Sequence, residues 1–294
     1  MASTRTSSRT QKGKNPSHRF HLHLISDATG ETLYSIAKAT CAQFADIEPI
    51  EHVYALVRSA KQLDRALLGL AENKGVVMCT MMNMDLRATL EERCTSLGIP
   101  CIHVLDQVLG SLGAALGTEV THKTGGQHEM DAEYFQRMEA LNFTMHHDDG
   151  QQSDDLEKAD IVLLGVSRTS KTPTCIYLAH RGIKAGNIPI VPQIELPEDI
   201  ETLKKPLVVG LVSSPDRLIK IRRNRLLSLK QDPDTDYVDL DAVRTETAFA
   251  RQLFARHGWP VIDVTRRSVE ETAAAILNLY SEYKDKRSNA LDGA

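Results

Sequence analysis

Two hydrophobic rhythms alternate along this chain. Short apolar runs of strand length are separated by longer segments whose apolar residues recur every three or four positions, the spacing of a helix face. "FHLHLI", Phe20 to Ile25, reads as a strand and "ETLYSIAKATCAQF" as the helix after it. "HVYALV" is a strand, "AKQLDRALLGLAENKG" a helix closed by Gly75, and "VVMCTMM" a strand. "MDLRATLEERCTSLG" is a helix closed by Gly98, and "IPCIHVL" a strand. Helices are expected to fill much of 105–147. The polar stretch "HHDDGQQSDDLEKAD", 146–160, then reads as a boundary, after which the alternation restarts. "IVLLG", "NIPIVP", "PLVVGLV" and "WPVIDV" are strands. "KTPTCIYLAHRG", "PDRLIKIRRNRLLSL", "DAVRTETAFARQLFARHG" and "SVEETAAAILNLY" are helices, the last opened by a capping box from Ser268 to Glu271. Alternation at this spacing implies an α/β protein with parallel sheets and helices on their faces.

Length agrees with a division in two, since 294 residues support about two domains, each with its own core. We expect a tail at 1–19, an N-terminal α/β domain at 20–150, a second domain at 151–285 and a tail at 286–294. The net charge is −4. Arg5, Arg9, Lys12, Lys14 and Arg19 lie in a head without acids, so the body is more acidic than the whole. An acidic body argues against a nucleic-acid partner. The head is basic and rich in Ser and Thr, as transit peptides are, but it lacks apolar residues for an amphipathic helix and reads as a disordered tail. No apolar run approaches the ~20 residues that span a bilayer, so no membrane partner is expected. The five cysteines form no C-x-x-C pair and their number is odd, which suits reduced thiols in a cytoplasm. The histidines show no H-x-x-x-H spacing, and no metal site is expected from the sequence.

The stretch with the most chemistry is "GVSRTSKTPT", Gly165 to Thr174. The standard phosphate-binding loop reads G-x-x-x-x-G-K-[ST]. Gly165, Lys171 and Thr172 fit, and Ser170 stands where the second Gly belongs. "DIVLLG" supplies the strand such a loop follows, and the next segment supplies the helix it opens, with Pro173 in the first turn. Backbone N–H groups and the helix dipole there favour an anion. Lys171 would sit on the outer phosphates, the Thr172 hydroxyl would face Mg²⁺, and Arg168 adds a cation. The expected binding set is Gly165, Val166, Ser167, Arg168, Thr169, Ser170, Lys171 and Thr172, in a P-loop kinase-like domain with a mainly parallel sheet.

Other stretches allow two readings each. "SDATGET", Ser26 to Thr32, lies between the first strand and first helix, where α/β sheets place ligands; it also suits a helix cap by Ser26 or Thr29. "HHDDG", His146 to Gly150, offers Asp148 or Asp149 as a proton acceptor for an attacking hydroxyl, or is a solvated turn. Arg217, Arg222, Arg223 and Arg225 either neutralise charge in phosphoryl transfer or form a solvated helix face. Asp263 ends "WPVIDV", where a carboxylate holding Mg²⁺ would stand.

"SDATGET", "HHDDG", "GVSRTSKTP" with "YLAHRGIKAGNIPIVP", "GLVSSPDRLIKIRRNRL" and "IDVTRRSVEETAAAIL" occur in that order. This succession, over about residues 20–283, resembles the pyruvate, phosphate dikinase regulatory proteins, whose sister branch is the phosphoenolpyruvate synthase regulatory proteins. "SDATGET" and Ser170 look more like the dikinase branch. The resemblance implies a bifunctional serine/threonine kinase and phosphorylase. It would phosphorylate a dikinase threonine near that enzyme's catalytic histidine, with ADP as donor. It would also remove the phosphate by attack of inorganic phosphate, releasing pyrophosphate. Lys171 would hold the donor's terminal phosphate, with Arg222 or Arg225 assisting. Asp148 or Asp149 is the first candidate for the base and Asp27 the second. A homodimer is common among such regulators. The rivals are a nucleoside-monophosphate-type kinase of a small metabolite, and an ADP-sensing module that transfers nothing.

Overall fold

The chain is described from a computed structural model, over residues 18–126, 130–151, 153–194, 196–230 and 235–292. The expected tail lies almost wholly outside them. Eight strands alternate with nine helices among these residues, in two compact units, Met1–Glu129 and Met130–Ala294.

The first unit holds β1 (His18–Ser26), α1 (Glu31–Cys41), β2 (Ile47–Tyr54), α2 (Ala60–Glu72), β3 (Gly75–Thr80), α3 (Met84–Leu97), β4 (Cys101–His103) and α4 (Asp106–Leu116). All pairings are parallel, in the order β2-β1-β3-β4. Leu63, Leu70 and Leu90 from α2 and α3 pack with Ile25, Val77 and Cys79 on one face. Leu33 and Ala37 of α1 pack with Leu22, Leu24 and Met78 on the other. Ser59 and Asn83 start α2 and α3 by accepting N–H bonds from Gln62 and Leu86. The sequence pattern starts the second strand at His52, but β2 begins at Ile47. It is an edge strand, so Glu48, Pro49 and Glu51 are tolerated there and blur the apolar alternation.

The second unit holds α5 (Ala132–His146), β5 (Ile161–Gly165), α6 (Lys171–Ala179), β6 (Ala185–Pro189), β7 (Leu207–Val212), α7 (Pro215–Ser228), α8 (Leu240–His257), β8 (Val261–Asp263) and α9 (Val269–Asp292). Its sheet is again wholly parallel, in the order β6-β5-β7-β8. The five residues of β5 and six of β7 are all buried, which explains their continuous apolar runs. The expected capping box forms: Ser268 N–H donates to Glu271 Oε2 (2.8 Å) and Glu271 N–H to Ser268 Oγ (3.1 Å).

The units divide earlier than the expected boundary at 150/151. Helix α5 packs on α6 and β6, and the Thr144 hydroxyl donates to the Ala185 carbonyl at 2.8 Å, so "HHDDG" closes an element of the second unit. Residues 286–292, expected as part of a tail, continue α9. Arg287 Nη1 anchors it by donating to the Lys204 and Lys205 carbonyls at 3.3 and 3.0 Å.

Candidate active site

The expected phosphate loop lies between a strand and a helix, β5 and α6. Strand β5 ends at Gly165, where a Cβ would come within 2.6 Å of the Leu211 carbonyl oxygen and 2.7 Å of Thr169 Oγ1; only glycine fits. The Thr169 hydroxyl donates to the Val166 carbonyl at 2.9 Å and ties the loop to itself. Ser170 then takes the left-handed conformation, φ +61°, as does Arg168 at +72°. This is the conformation the second Gly of the standard loop supplies without strain. Ser170 makes no side-chain cap on α6.

Lys171 is buried, at 6% exposure. Its ammonium donates to the Gly165 and Val166 carbonyls at 2.8 and 3.2 Å. Burial pushes its pKa down to about 8, against the pull of Asp149 and Asp148. Lys171, Ser167, Arg168, Ser170, Thr172 and Asp149 line one cleft of about 1190 Å³, whose wall includes Pro189, Val191 and Ile221.

"HHDDG" reaches this loop through β6. Asn187 N–H donates to the His147 carbonyl at 3.1 Å and Gly150 N–H to the Asn187 carbonyl at 2.9 Å, which ties this turn to β6. Asp148 Oδ1 thereby accepts from the Thr172 hydroxyl at 2.8 Å and from the Asn187 amide. Asp149 follows at φ +50°, a strained conformation for a residue other than Gly and a frequent mark of a functional turn.

The arginines depart from expectation. Arg222 is buried and committed: Nη2 bonds the Ser167 carbonyl (3.0 Å) and Glu246 (2.8 Å), and Nη1 the Tyr237 carbonyl (3.1 Å). It braces the loop from behind. Arg225 is exposed and does not line the cleft. Arg168 is the arginine that does. Asp263 is occupied by Thr265, whose N–H donates at 2.9 Å, and by Arg251 at 3.6 Å; β7 separates its strand from β5.

Asp27 belongs to the first unit. Its buried Oδ2 accepts from Met82 N–H (2.7 Å), Asn83 N–H (3.1 Å) and the Thr124 hydroxyl (3.1 Å). With Ser26, Gly30, Thr32, Thr80 and Lys123 it lines a cleft of about 540 Å³ at the end of β1.

Comparison with known proteins bears on all of this. The sequence pattern of the kinase/pyrophosphorylase family matches residues 22–277. A Caulobacter vibrioides protein is 58% identical over 267 residues, 91% of this chain and 85% of that one. A Maricaulis maris protein is 57% identical over 266 residues, 90% of this chain and 95% of that one. One from Bradyrhizobium diazoefficiens is 53% identical over 269 residues, 91% and 96% of the two chains. All three carry the provisional name pyruvate, phosphate dikinase regulatory protein. The chain belongs to the kinase/pyrophosphorylase family. Among solved structures, a mitochondrial ornithine carbamoyltransferase from Coccidioides immitis aligns over 87% of this chain and 74% of that one at TM-score 0.22 and 8% identity, too slight a likeness to carry an argument.

Within this phosphotransferase family member, two supporting residues escaped the sequence reading. Asn187 is 1% exposed within a buried strand, and a lone polar residue in an apolar run was the available signal. Tyr237 latches the loop, its hydroxyl 2.9 Å from Ser167 Oγ and 3.3 Å from Arg168 Nε, and no local pattern announces it. No helix among the described residues is long and apolar enough to cross a membrane.

Proposed function

We propose that this protein regulates pyruvate, phosphate dikinase by two opposed phosphoryl transfers. In one, a dikinase threonine is phosphorylated from ADP and the enzyme is inactivated. In the other, inorganic phosphate removes that group as pyrophosphate and activity returns. The carrying observation is the convergence of the buried Lys171, the cleft-lining Asp149 and the Thr172–Asp148 pair on one phosphate loop. The relatives' names supply the target.

Phosphoryl transfer needs positioning and charge neutralisation more than covalent chemistry. In the forward direction the threonine Oγ attacks the β-phosphorus of ADP. The Oγ–P bond forms, the bridging bond to the α-phosphate breaks, AMP leaves, and Asp149 takes the hydroxyl proton. In the reverse direction an oxygen of inorganic phosphate attacks the phosphothreonine. The P–Oγ bond breaks, Asp149 returns a proton to Oγ, and pyrophosphate leaves. Lys171 and Arg168 balance the phosphate charge in both directions. Pro189, Val191 and Ile221 give the nucleoside an apolar wall. Asp148 is better placed to orient Thr172 than to accept the proton. The Thr172 hydroxyl and the Asp148 carboxylate, held together by their hydrogen bond, are oxygen donors of the kind Mg²⁺ takes. When bound there the ion would neutralise phosphate charge.

The test uses purified dikinase, ADP labelled on its β-phosphate, and a later chase with unlabelled inorganic phosphate. Label on a dikinase threonine that leaves as pyrophosphate supports the proposal. Label only on phosphoenolpyruvate synthase moves the protein to the sister branch. Label on a small metabolite without protein substrate, or ADP bound with no transfer, overturns it. Asp149→Asn should lower both directions by roughly 10²–10⁴-fold while ADP binding persists.

A further inference from the structure

The first unit holds a second cluster of reactive side chains, unrelated to the phosphate loop. Cys79 on β3 and His103 on β4 are direct partners in the parallel register, and Cys101 stands two residues before His103 on the same strand face. Cys79 Sγ lies 3.0 Å from His103 Nδ1, and Cys101 Sγ 3.8 Å from Nε2. One donor atom from each of the three lies within 4.8 Å of the others. Helix α3 lies over this face and places the buried Cys94 in the packed cluster that holds Cys79 and meets Cys101.

We propose that Cys79, Cys94, Cys101 and His103 form a structural site for a thiophilic divalent metal ion, zinc by its donor set. Three sulfurs and one imidazole nitrogen are a closed four-ligand zinc set. Zinc bonds sulfur at about 2.3 Å and imidazole nitrogen at about 2.0 Å, so ligand atoms of a tetrahedral site lie roughly 3.5–3.8 Å apart. The Cys79 sulfur stands 3.0 Å from Nδ1, closer than that range, and no pair within the group of three exceeds 4.8 Å, so side-chain rotations bring the donors to tetrahedral spacing. The imidazole is already oriented as a ligand. Its Nε2 lies 2.7 Å from Glu91 Oε1, and Glu91 Oε1 is itself held by Arg87 Nε at 2.9 Å. That leaves Nδ1 for the metal, in the carboxylate–histidine–metal arrangement that fixes ring orientation. The ion would clamp α3 to the β3–β4 edge of the sheet, where β4 has only three residues. The sequence carried no sign of it, because the ligands come from two strands and a helix and not from one short motif.

The alternative is that these thiols only fill space as small apolar side chains. The deciding experiment purifies the full chain under reducing conditions, reconstitutes it with zinc, removes excess ion and measures metal per chain. Replacement by Co²⁺ then reports ligand type through thiolate-to-cobalt charge-transfer absorption and the strong ligand-field bands of tetrahedral cobalt. We expect about one ion per chain with sulfur-type bands, loss of both in Cys101→Ser, and no change in Cys41→Ser, whose thiol lies outside the cluster. Glu91→Gln should keep the bands and weaken affinity about 10–100-fold. It guards against Cys101→Ser failing to fold, and circular dichroism checks both variants. Substoichiometric zinc in the reconstituted wild type, or unchanged cobalt bands in a folded Cys101→Ser, would overturn the site.

Discussion

The two units use one topology for opposite charges. In each, the founding strand sits second in a four-stranded parallel sheet, ordered β2-β1-β3-β4 and β6-β5-β7-β8. In each, the turn leaving that strand opens a helix whose N-cap has a left-handed conformation, Gly30 at φ +82° and Ser170 at φ +61°. The turn after β5 buries a cation, Lys171, over its own carbonyls. The turn after β1 buries an anion, Asp27, under two backbone N–H groups and a hydroxyl. Topology therefore sets where a site forms, and the side chain in the turn decides what it can hold. The cation has the role of holding phosphate in the proposed reaction. The anion's visible partners are the chain's own groups, which makes Asp27 a clamp on the β3–α3 connection before it is a base.

That contrast can be tested at five positions. Replacing Lys171 by Met should have the largest effect, lowering phosphate transfer by on the order of 10³-fold through loss of a preorganised donor, as read by single-turnover labelling. The same variant separates function from stability. The lysine titrates near 8 in the folded protein and at 10.5 when exposed, so between these values the unfolded chain binds the extra proton. Wild-type stability should therefore rise with pH from about 8 to 10.5, relative to Lys171→Met, in denaturant titrations. ADP binding near pH 8–9 should take up protons in the wild type but not in the variant, as calorimetry in buffers of different ionisation enthalpy would show. A flat difference between the two proteins across this window would refute a depressed lysine.

Arg222→Ala comes next. It strands Glu246 and removes the brace behind Ser167, and should destabilise the protein by about 3–5 kcal/mol in denaturant titrations. Arg225→Ala, on the exposed face, should change stability by less than about 0.5 kcal/mol. Asp27→Ala leaves the Met82 and Asn83 N–H groups without their acceptor and should cost about 1–3 kcal/mol, with faster hydrogen exchange at the start of α3. If Asp27→Asn folds normally yet loses transfer as fully as Asp149→Asn, Asp27 is catalytic and the clamp reading fails. Ser170→Gly should have a small effect of opposite sign, relieving a left-handed serine and raising stability by no more than about 1 kcal/mol, with transfer retained.

Local pattern made much of this protein legible. The runs "IVLLG" and "PLVVGLV" announce fully buried parallel strands because burial on both faces leaves no room for alternation. Gly165 announces the tight turn after β5 because a Cβ there would meet the Leu211 carbonyl and Thr169, a constraint carried by a single residue. Edge strand β2 was read too short, since one-sided pairing tolerates Pro49 and two glutamates. The assignment of α5 to the second unit, and with it the place of Asp148 beside Thr172, depends on packing against α6 and β6, to which no local signal points.

Arg222 shows the same limit from the other side. Its place in "RLIKIRRNRL" distinguishes it from Arg223 and Arg225 in no obvious way, and only the fold buries it against Glu246 and Tyr237. Asn187, Tyr237 and the Cys79–Cys101–His103 cluster likewise draw partners from distant segments. The sequence alone determined the alternation of strands and helices and the strand–loop–helix turn at Gly165–Thr172, because each is written in neighbouring residues. Tertiary structure alone decided which carboxylate faces the cleft, which arginine is a brace and which thiols meet, because such contacts arise where separate elements pack together.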